Sequence, residues 1–533
     1  MKNTRKFAAF VASFLAVACM AAPMATSFSA DAEGSIEIVN SAKSHTYEAY
    51  QIFDGDLAGS VLSNVAWGSG IDSTKTADLM TEIKTIDGFA DCADAAAVAA
   101  KLAETTEFDE EVTQKFASVV GKYLSNTKTA STFADGKYTI SGVDDGYYLV
   151  KDSDDSLSGE HDAKTRYIVQ VLGTKTDITP KSSFPTVEKK VLEDDKEVTG
   201  KPTYDAETTE KWNDVADYCI GEAVPFKLYG TMPSTIGDYS KYKYVFHDTL
   251  ASQFTAPDKT TVTVKIDGKA AENAVVDVTG QNITVTFADI KNGNTVTADS
   301  IVTVEYSAVL NSDAVIGLNG QENEVYLTYS NNPNWVGDGT GGPGDTPKDE
   351  GQTPKDAVIV FTYELDTTKV DGADDTKKLV DAEFKLLNEA QNKEAKVEDG
   401  KFVEWVDIDA GTTLKSDADG LFKVAGLDDG TYYLKETNAP EGYNLLSAPV
   451  EVVIKATTIN DQNWGMTDAS AALTKLDVTA DGKAGTADAA TGIASIKIAN
   501  NAGSTLPSTG GIGTTIFYVA GVLLVSKKRM ANK

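Results

Sequence analysis

Most of this chain alternates between apolar and polar residues. Runs such as Val262-Thr263-Val264-Lys265-Ile266 and Ile301-Val302-Thr303-Val304-Glu305-Tyr306 carry an apolar side chain at every second position. That period lines one face of a β-strand and leaves the other polar. Asp-Gly pairs break the runs and predict tight turns between short antiparallel strands. One stretch departs from this: from Thr76 to Leu124, Ala, Glu, Lys and Leu recur at helical spacing and predict two or three helices. Strands of this kind pack as sandwiches of the immunoglobulin type. The expected fold is therefore all-β, three tandem Ig-like β-sandwich domains in an elongated array, with a helical insertion in the first.

The breaks in the pattern set the boundaries. Gly337-Asp338-Gly339-Thr340-Gly341-Gly342-Pro343-Gly344 interrupts all periodicity and predicts a linker over 336–355. A second break falls at Pro180 to Pro185, giving domains at 33–180, 186–335 and 356–503. The outer two share a repeat. Asp135 to Gly146 aligns without gaps on Asp419 to Gly430, and the same offset carries Tyr148-Leu149-Val150-Lys151-Asp152 onto Tyr432-Tyr433-Leu434-Lys435-Glu436.

Two apolar runs lie outside the alternation. Phe7 to Ala22 follows Lys2, Arg5 and Lys6 and leads into small residues up to Ala32, the pattern of a secretory signal peptide over 1–32. The cut is expected between Ala25 and Ala32. Ile512 to Val525 follows Leu506-Pro507-Ser508-Thr509-Gly510 and precedes Lys527-Lys528-Arg529. At about 1.5 Å per residue this run of about 15 covers some 22 Å of a roughly 30 Å membrane core. It predicts a transient transmembrane pause rather than a full span, with the cations held inside and the pentapeptide outside. The mature chain is expected to run from Asp31 to Thr509.

Composition narrows the class. Net charge is −32, and removing the two basic ends takes it to about −39. Such acidity suits a soluble extracellular protein and excludes nucleic-acid partners, which need clustered Lys and Arg. Cys92 and Cys219 remain after Cys19 leaves, too few and too far apart for a disulfide framework. No Ser-His-Asp or HExxH arrangement appears, so an enzyme is not expected. Three histidines leave little for metal binding. Asp152-Ser153-Asp154-Asp155 lacks the EF-hand spacing and reads as solvated loop. Neither metal nor cofactor is expected.

Chemistry gathers in triples of lysine, acid and asparagine. Alternation puts Lys369 on the inward face with Leu365, Asn500 on that of Ile496 and Ile498, and Glu436 on that of Tyr432 and Leu434. Burial favours neutral forms, so the amine loses its proton and the carboxyl keeps one. A neutral amine is a nucleophile, and a protonated carboxyl polarises an amide carbonyl and moves protons. The product is a Lys–Asn isopeptide bond formed with loss of ammonia. In the middle domain Lys189 shares the face of Val187 and Val191, while Lys190 faces away. Asp248 lies with Tyr244 and Phe246, and Asn323 with Val325 and Leu327. Asn331 has the parity of Asn323 and stays a rival acceptor; His247 reads as a turn or surface residue. The first domain keeps an acid, Asp152, but its first strand, Ser35 to Asn40, holds no lysine and its last strand ends without asparagine. No bond is expected there.

These residues carry family resemblances. Leu506 to Gly510 with its apolar run and basic tail resembles the sorting signal of Gram-positive surface proteins, in which a sortase cuts between Thr and Gly. Tyr432-x-Leu434-x-Glu436-x-x-Ala439-Pro440-x-Gly442-Tyr443 matches the glutamate motif of CnaB-type domains in full. Trp212-x-x-Val215-Ala216-Asp217-Tyr218, Val224 to Leu228, Tyr244 to Asp248 and Asn323 to Pro333 resemble the isopeptide-forming second domain of pilus shaft proteins, usually of CnaA type. The first domain is then CnaB-like. Shaft pilins carry an acceptor lysine in a Tyr-Pro-Lys-Asn-like motif between their first two domains. Here Thr179-Pro180-Lys181-Ser182 matches it in part, with Lys189 as fallback.

The resemblance implies a structural subunit of a sortase-assembled pilus, polymerised from Thr509 to Lys181 of the next copy, with Asp248 and Glu436 promoting the internal bonds. The alternative is a wall-anchored adhesin or a minor tip or base pilin. Implied partners are identical subunits, a class C-type pilin sortase and the housekeeping sortase, minor pilins, peptidoglycan and host surface ligands. The implied location is the outer surface of a Gram-positive bacterium, covalently attached to the cell wall.

Overall fold

The computed structural model describes residues 34–58, 61–103, 110–157, 161–172, 175–180, 182–335, 347, 349–462, 464–466 and 468–503. Lys181 and the whole segment 506–533 lie outside them, as does 1–32. Among the described residues no helix is long and apolar enough to cross a membrane.

The first domain is a sandwich of two small sheets. One runs in the order Thr132–Ala134, Lys137–Val143, Gly34–Val39 and Lys175–Ile178, and the other holds Val61–Trp67, Tyr47–Ala58, Gly146–Asp152 and Arg166–Val171. The helical insertion forms helices Thr76–Ile83, Ala95–Ala103 and Glu110–Val120. They pack Leu79, Ile83, Val98, Leu102 and Phe116 against the outer face of the second sheet. Gly146–Asp152 is consequently buried on both faces: Tyr148 and Val150 point into the sandwich, Tyr147 and Leu149 toward the helices. Cover on both sides is why Tyr147-Tyr148-Leu149-Val150 is unbroken apolar where the repeat elsewhere alternates. The Asp135-Gly136 turn takes φ of 50° and 77°, the doubly positive backbone that Asp-Gly supplies to a two-residue hairpin.

The middle domain stacks two seven-stranded sheets. Val187–Leu192, Ala223–Thr231 and Ile301–Leu310 form the centre of one; Gln321–Ser330, Tyr244–Thr249 and Asn282–Phe287 form that of the other. The third domain is a single curled sheet of twelve strands, in which Tyr363–Asp371 runs parallel to Ile493–Asn500.

The joint between these two domains departs from the expected linker. Glu350–Gln352 and Asp356–Phe361 are strands, and both pair with Gln321–Ser330 of the middle domain. Val358 and Val360 enter the middle core, while Ala357, Ile359 and Phe361 enter the third. Val215–Asp217 lies parallel beside it, and there Val215 serves the third core and Ala216 the middle one. One strand with two apolar faces thus serves both cores, so the expected boundary at 356 falls at a strand that the two domains share.

Candidate functional site

In the third domain the parallel pairing sets Lys369 opposite Ile498 and Asp371 opposite Asn500. The two reactive side chains therefore lean toward each other from adjacent strands. Glu436 reaches them from Gly430–Asn438, and the side chains of Lys369 and Glu436 are wholly buried. Lys369 Nζ donates to Asn500 Oδ1 across 131 residues of chain. Glu436 Oε1 lies 3.1 Å from Lys369 Nζ. Asn500 Nδ2 donates to Glu436 Oε1 at 2.9 Å and Oε2 at 3.0 Å. One carboxyl thus touches both the lysine amine and the asparagine amide nitrogen. Burial lowers the lysine's pKa, against the pull of Glu436, and so favours the free amine. The Ala439-to-Tyr443 motif closes this end: Tyr443 OH donates to Asp371 at 2.7 Å, and the backbone N–H of Leu446 donates to Glu436 Oε2 at 2.8 Å.

The middle domain builds its triple across the sandwich. Lys189 and Tyr306 come from one sheet, Asp248 and Asn323 from the other. Lys189 Nζ donates to Asp248 Oδ1 at 2.6 Å and to Tyr306 OH at 3.1 Å. Tyr306 donates to Asp248 Oδ2 at 2.7 Å and accepts from Asn323 Nδ2 at 3.3 Å. Asn323 Oδ1 is buried without a hydrogen-bond partner. Burial pushes Lys189 down and Asp248 up, so both move toward their neutral forms. Tyr306 bridges acid and amide by hydrogen bonds; nothing in an alternating Val304-Glu305-Tyr306 run distinguishes it from an ordinary core tyrosine.

The rival residues are elsewhere. Asn331 is buried, but its Nδ2 donates to Leu157 O of the first domain at 2.6 Å. Lys190 faces away from the core, yet it too is buried, paired with Asp214 and Glu188. His247 is not in a turn: it sits mid-strand, stacked on Tyr326 and 3.0 Å from Thr328 Oγ1. Cys92 and Cys219 are buried and not in disulfides.

The first domain shows what fills an absent triple. Ile38 pairs with Tyr138 and Ile178, as Thr367 pairs with Phe422 and Ile496. Asn40 therefore stands where the third domain has Lys369, and Ser182 where it has Asn500. Asp152, the counterpart of Glu436, is fully buried. His45 Nδ1 lies 2.8 Å from Asp152, and Nε2 lies 3.0 Å from Asp162. Thr165 donates its N–H to Asp152 Oδ2 at 2.7 Å. Burial alone would lower the imidazole pKa, but the two carboxylates outweigh it and raise it to about 9. Here the acid meets a histidine held in its charged form, and in the third domain a lysine whose pKa burial lowers.

Known proteins share this architecture. Residues 364–467 match the model of the SpaA prealbumin-like fold domain. The chain is 25% identical over 456 residues to the trypsin-resistant surface T6 protein of Streptococcus pyogenes serotype M6, covering 83% of this chain and 75% of that one. The solved T6 backbone pilin of that serotype, a modular three-domain structure, superposes with a TM-score of 0.53 at 18% identity, over 90% of this chain and all of that one.

Proposed function

We infer that this chain is a sortase-assembled major pilin of a Gram-positive bacterium, a reading that its likeness to the SpaA domain and to the T6 backbone pilin supports. It is a non-enzymatic shaft subunit of a cell-surface pilus, and such subunits join into homopolymers. The finer reading is that Lys369–Asn500 and Lys189–Asn323 condense into isopeptide bonds. The carrying observation is Glu436, whose Oε1 lies within 3.1 Å of the amine and 2.9 Å of the amide nitrogen. Lysine Nζ attacks Asn500 Cγ, and Glu436 passes the proton from Nζ to Nδ2. The C–Nδ2 bond breaks and ammonia leaves, so the acid is regenerated. Asp248 does the same in the middle domain with Tyr306 as bridge.

Between subunits, Thr509 is the acyl donor and Lys181 the acceptor amine, with a pilin sortase making the link and a housekeeping sortase fixing the last copy to peptidoglycan. Minor pilins and host ligands belong to this same reading. Intact mass of the recombinant mature chain should fall short of its summed residues by two ammonia molecules. An unmodified mass removes the internal bonds. Separately, Lys181→Ala should abolish the high-mass ladder on a denaturing gel; a persisting ladder moves the acceptor elsewhere.

A further inference from the structure

Six acids meet where the middle and third domains join. Glu193, Asp194 and Asp195 follow strand Val187–Leu192, Asp217 ends strand Val215–Asp217, and Asp428 and Asp429 form the turn before Gly430–Asn438. Two lysines face them. Lys196 Nζ pairs with Asp217 and lies 3.3 Å from Asp429, while Lys211 Nζ donates to the Asp195 carbonyl at 3.2 Å. Burial and the neighbouring Asp217 push the Glu193 carboxyl up to about 9 and that of Asp429 up to about 8, so in this partly dry joint the carboxyls ionise only at a cost unless a cation joins them.

Two oxygens in this network are left without a donor. Glu193 and Asp429 are 2% and 8% exposed, and Glu193 Oε2 and Asp429 Oδ1 are buried with no donor. Their other oxygens are held. Glu193 Oε1 accepts from the backbone N–H groups of Asp195 and Lys196, and Asp429 Oδ2 accepts from the N–H of Ala456 at 3.0 Å. Asp217 Oδ2 accepts from Tyr363 OH at 3.0 Å. The carboxyls are thus oriented by their surroundings, as ligating carboxylates usually are. Oxygens of Asp195, Asp217 and Asp429 lie within 4.8 Å of one another, and so do those of Glu193, Asp194 and Asp195. Oxygens on opposite sides of one calcium ion, at 2.3–2.6 Å each, are about 5 Å apart. Magnesium, smaller and reluctant to shed water, suits so many carboxylates poorly. Asp194 and Asp195 are exposed and give the ion a path from solvent.

We propose that this cluster is a calcium site that clamps the middle domain to the third, with Glu193, Asp195, Asp217 and Asp429 as ligands and the Lys196 ammonium displaced toward solvent. The site draws ligands from both domains, so calcium binding adds to the stability of the joint that the shared strand already makes.

Calorimetric titration of the chelator-treated mature chain with calcium chloride tests this, with thermal unfolding alongside. One ion per chain is expected, with a dissociation constant of about 10⁻³ M or tighter, and unfolding should shift to higher temperature. Glu193→Gln and Asp429→Asn should each weaken binding about tenfold or more. Lys196→Gln should strengthen it, because a competing cation is gone; a purely structural ion-pair cluster would lose stability there and gain no affinity. Absence of both heat and thermal shift at millimolar calcium overturns the proposal, as does binding that all three substitutions leave unchanged.

Discussion

The first and third domains carry the same hairpin and the same buried acid, yet they secure it differently. Lys137–Val143 with Gly146–Asp152 repeats as Leu421–Leu427 with Gly430–Asn438, and Asp152 takes the place of Glu436. In the third domain the acid faces an amine and an amide; in the first, Asn40 and Ser182 stand in their places and His45 supplies a charge. A buried carboxyl is therefore not itself the mark of a covalent bond. It needs a neighbour that can give up its proton and become a nucleophile. A histidine held between two carboxylates is stabilised in its charged form, the opposite requirement.

The sharpest way to break this comparison is to remove the acid from the third domain. Glu436→Gln keeps the volume but cannot shuttle the proton. The intact mass should rise by one ammonia, and the third domain should lose about 5 kcal/mol if the bond acts like a disulfide closing so long a loop. Calorimetry and mass measured on one sample check both.

The pH response should separate the domains next. His45 has a folded pKa raised to about 9 from 6.5. A raised value means the folded state holds its proton more tightly. This contribution is therefore complete below about pH 6.5 and is lost as pH rises through 9. The first domain should lose up to about 3 kcal/mol across that window, whereas the amide bonds proposed for the other two do not titrate. Hydrogen exchange followed by domain at pH 6 and 9 would show it, and His45→Gln should flatten the profile.

The smallest effect concerns the rival asparagine. Asn331→Ala should leave the mass deficit untouched and cost about 1 kcal/mol, the loss of one buried hydrogen bond to Leu157. If the deficit instead falls by one ammonia, Asn331 and not Asn323 is the acceptor.

Much of this was legible in the chain because a strand's period is simple. Alternation alone turned Lys369, Glu436, Asn500, Lys189, Asp248 and Asn323 inward, and the structure brings them together in two groups. The repeat placed Asp152 on Glu436 before any register was known. What stayed hidden depends on contacts between distant segments. Tyr306 resembles any core tyrosine until Asp248 and Asn323 approach it from the opposite sheet. His45 needs the Asp162 loop, more than a hundred residues away, to explain its charge. The unbroken run Ala357-Val358-Ile359-Val360-Phe361 did carry a signal, since a strand with two apolar faces must be covered twice. The glycine-rich stretch before it is the stronger break in the pattern, so by sequence the strand falls with the third domain.

That doubly covered strand bears on how a fibre of these molecules would flex. Rotating the middle domain against the third would pull alternate side chains of Asp356–Phe361 out of one hydrophobic interior or the other, so those two bodies turn as one. The joint with the first domain rests instead on separate polar contacts, among them Lys164 to Asp349, Arg166 to the Pro333 carbonyl and Asn331 to the Leu157 carbonyl, with no strand shared between the two cores. A bent fibre should therefore articulate once per repeat, beside the segment that carries Lys181.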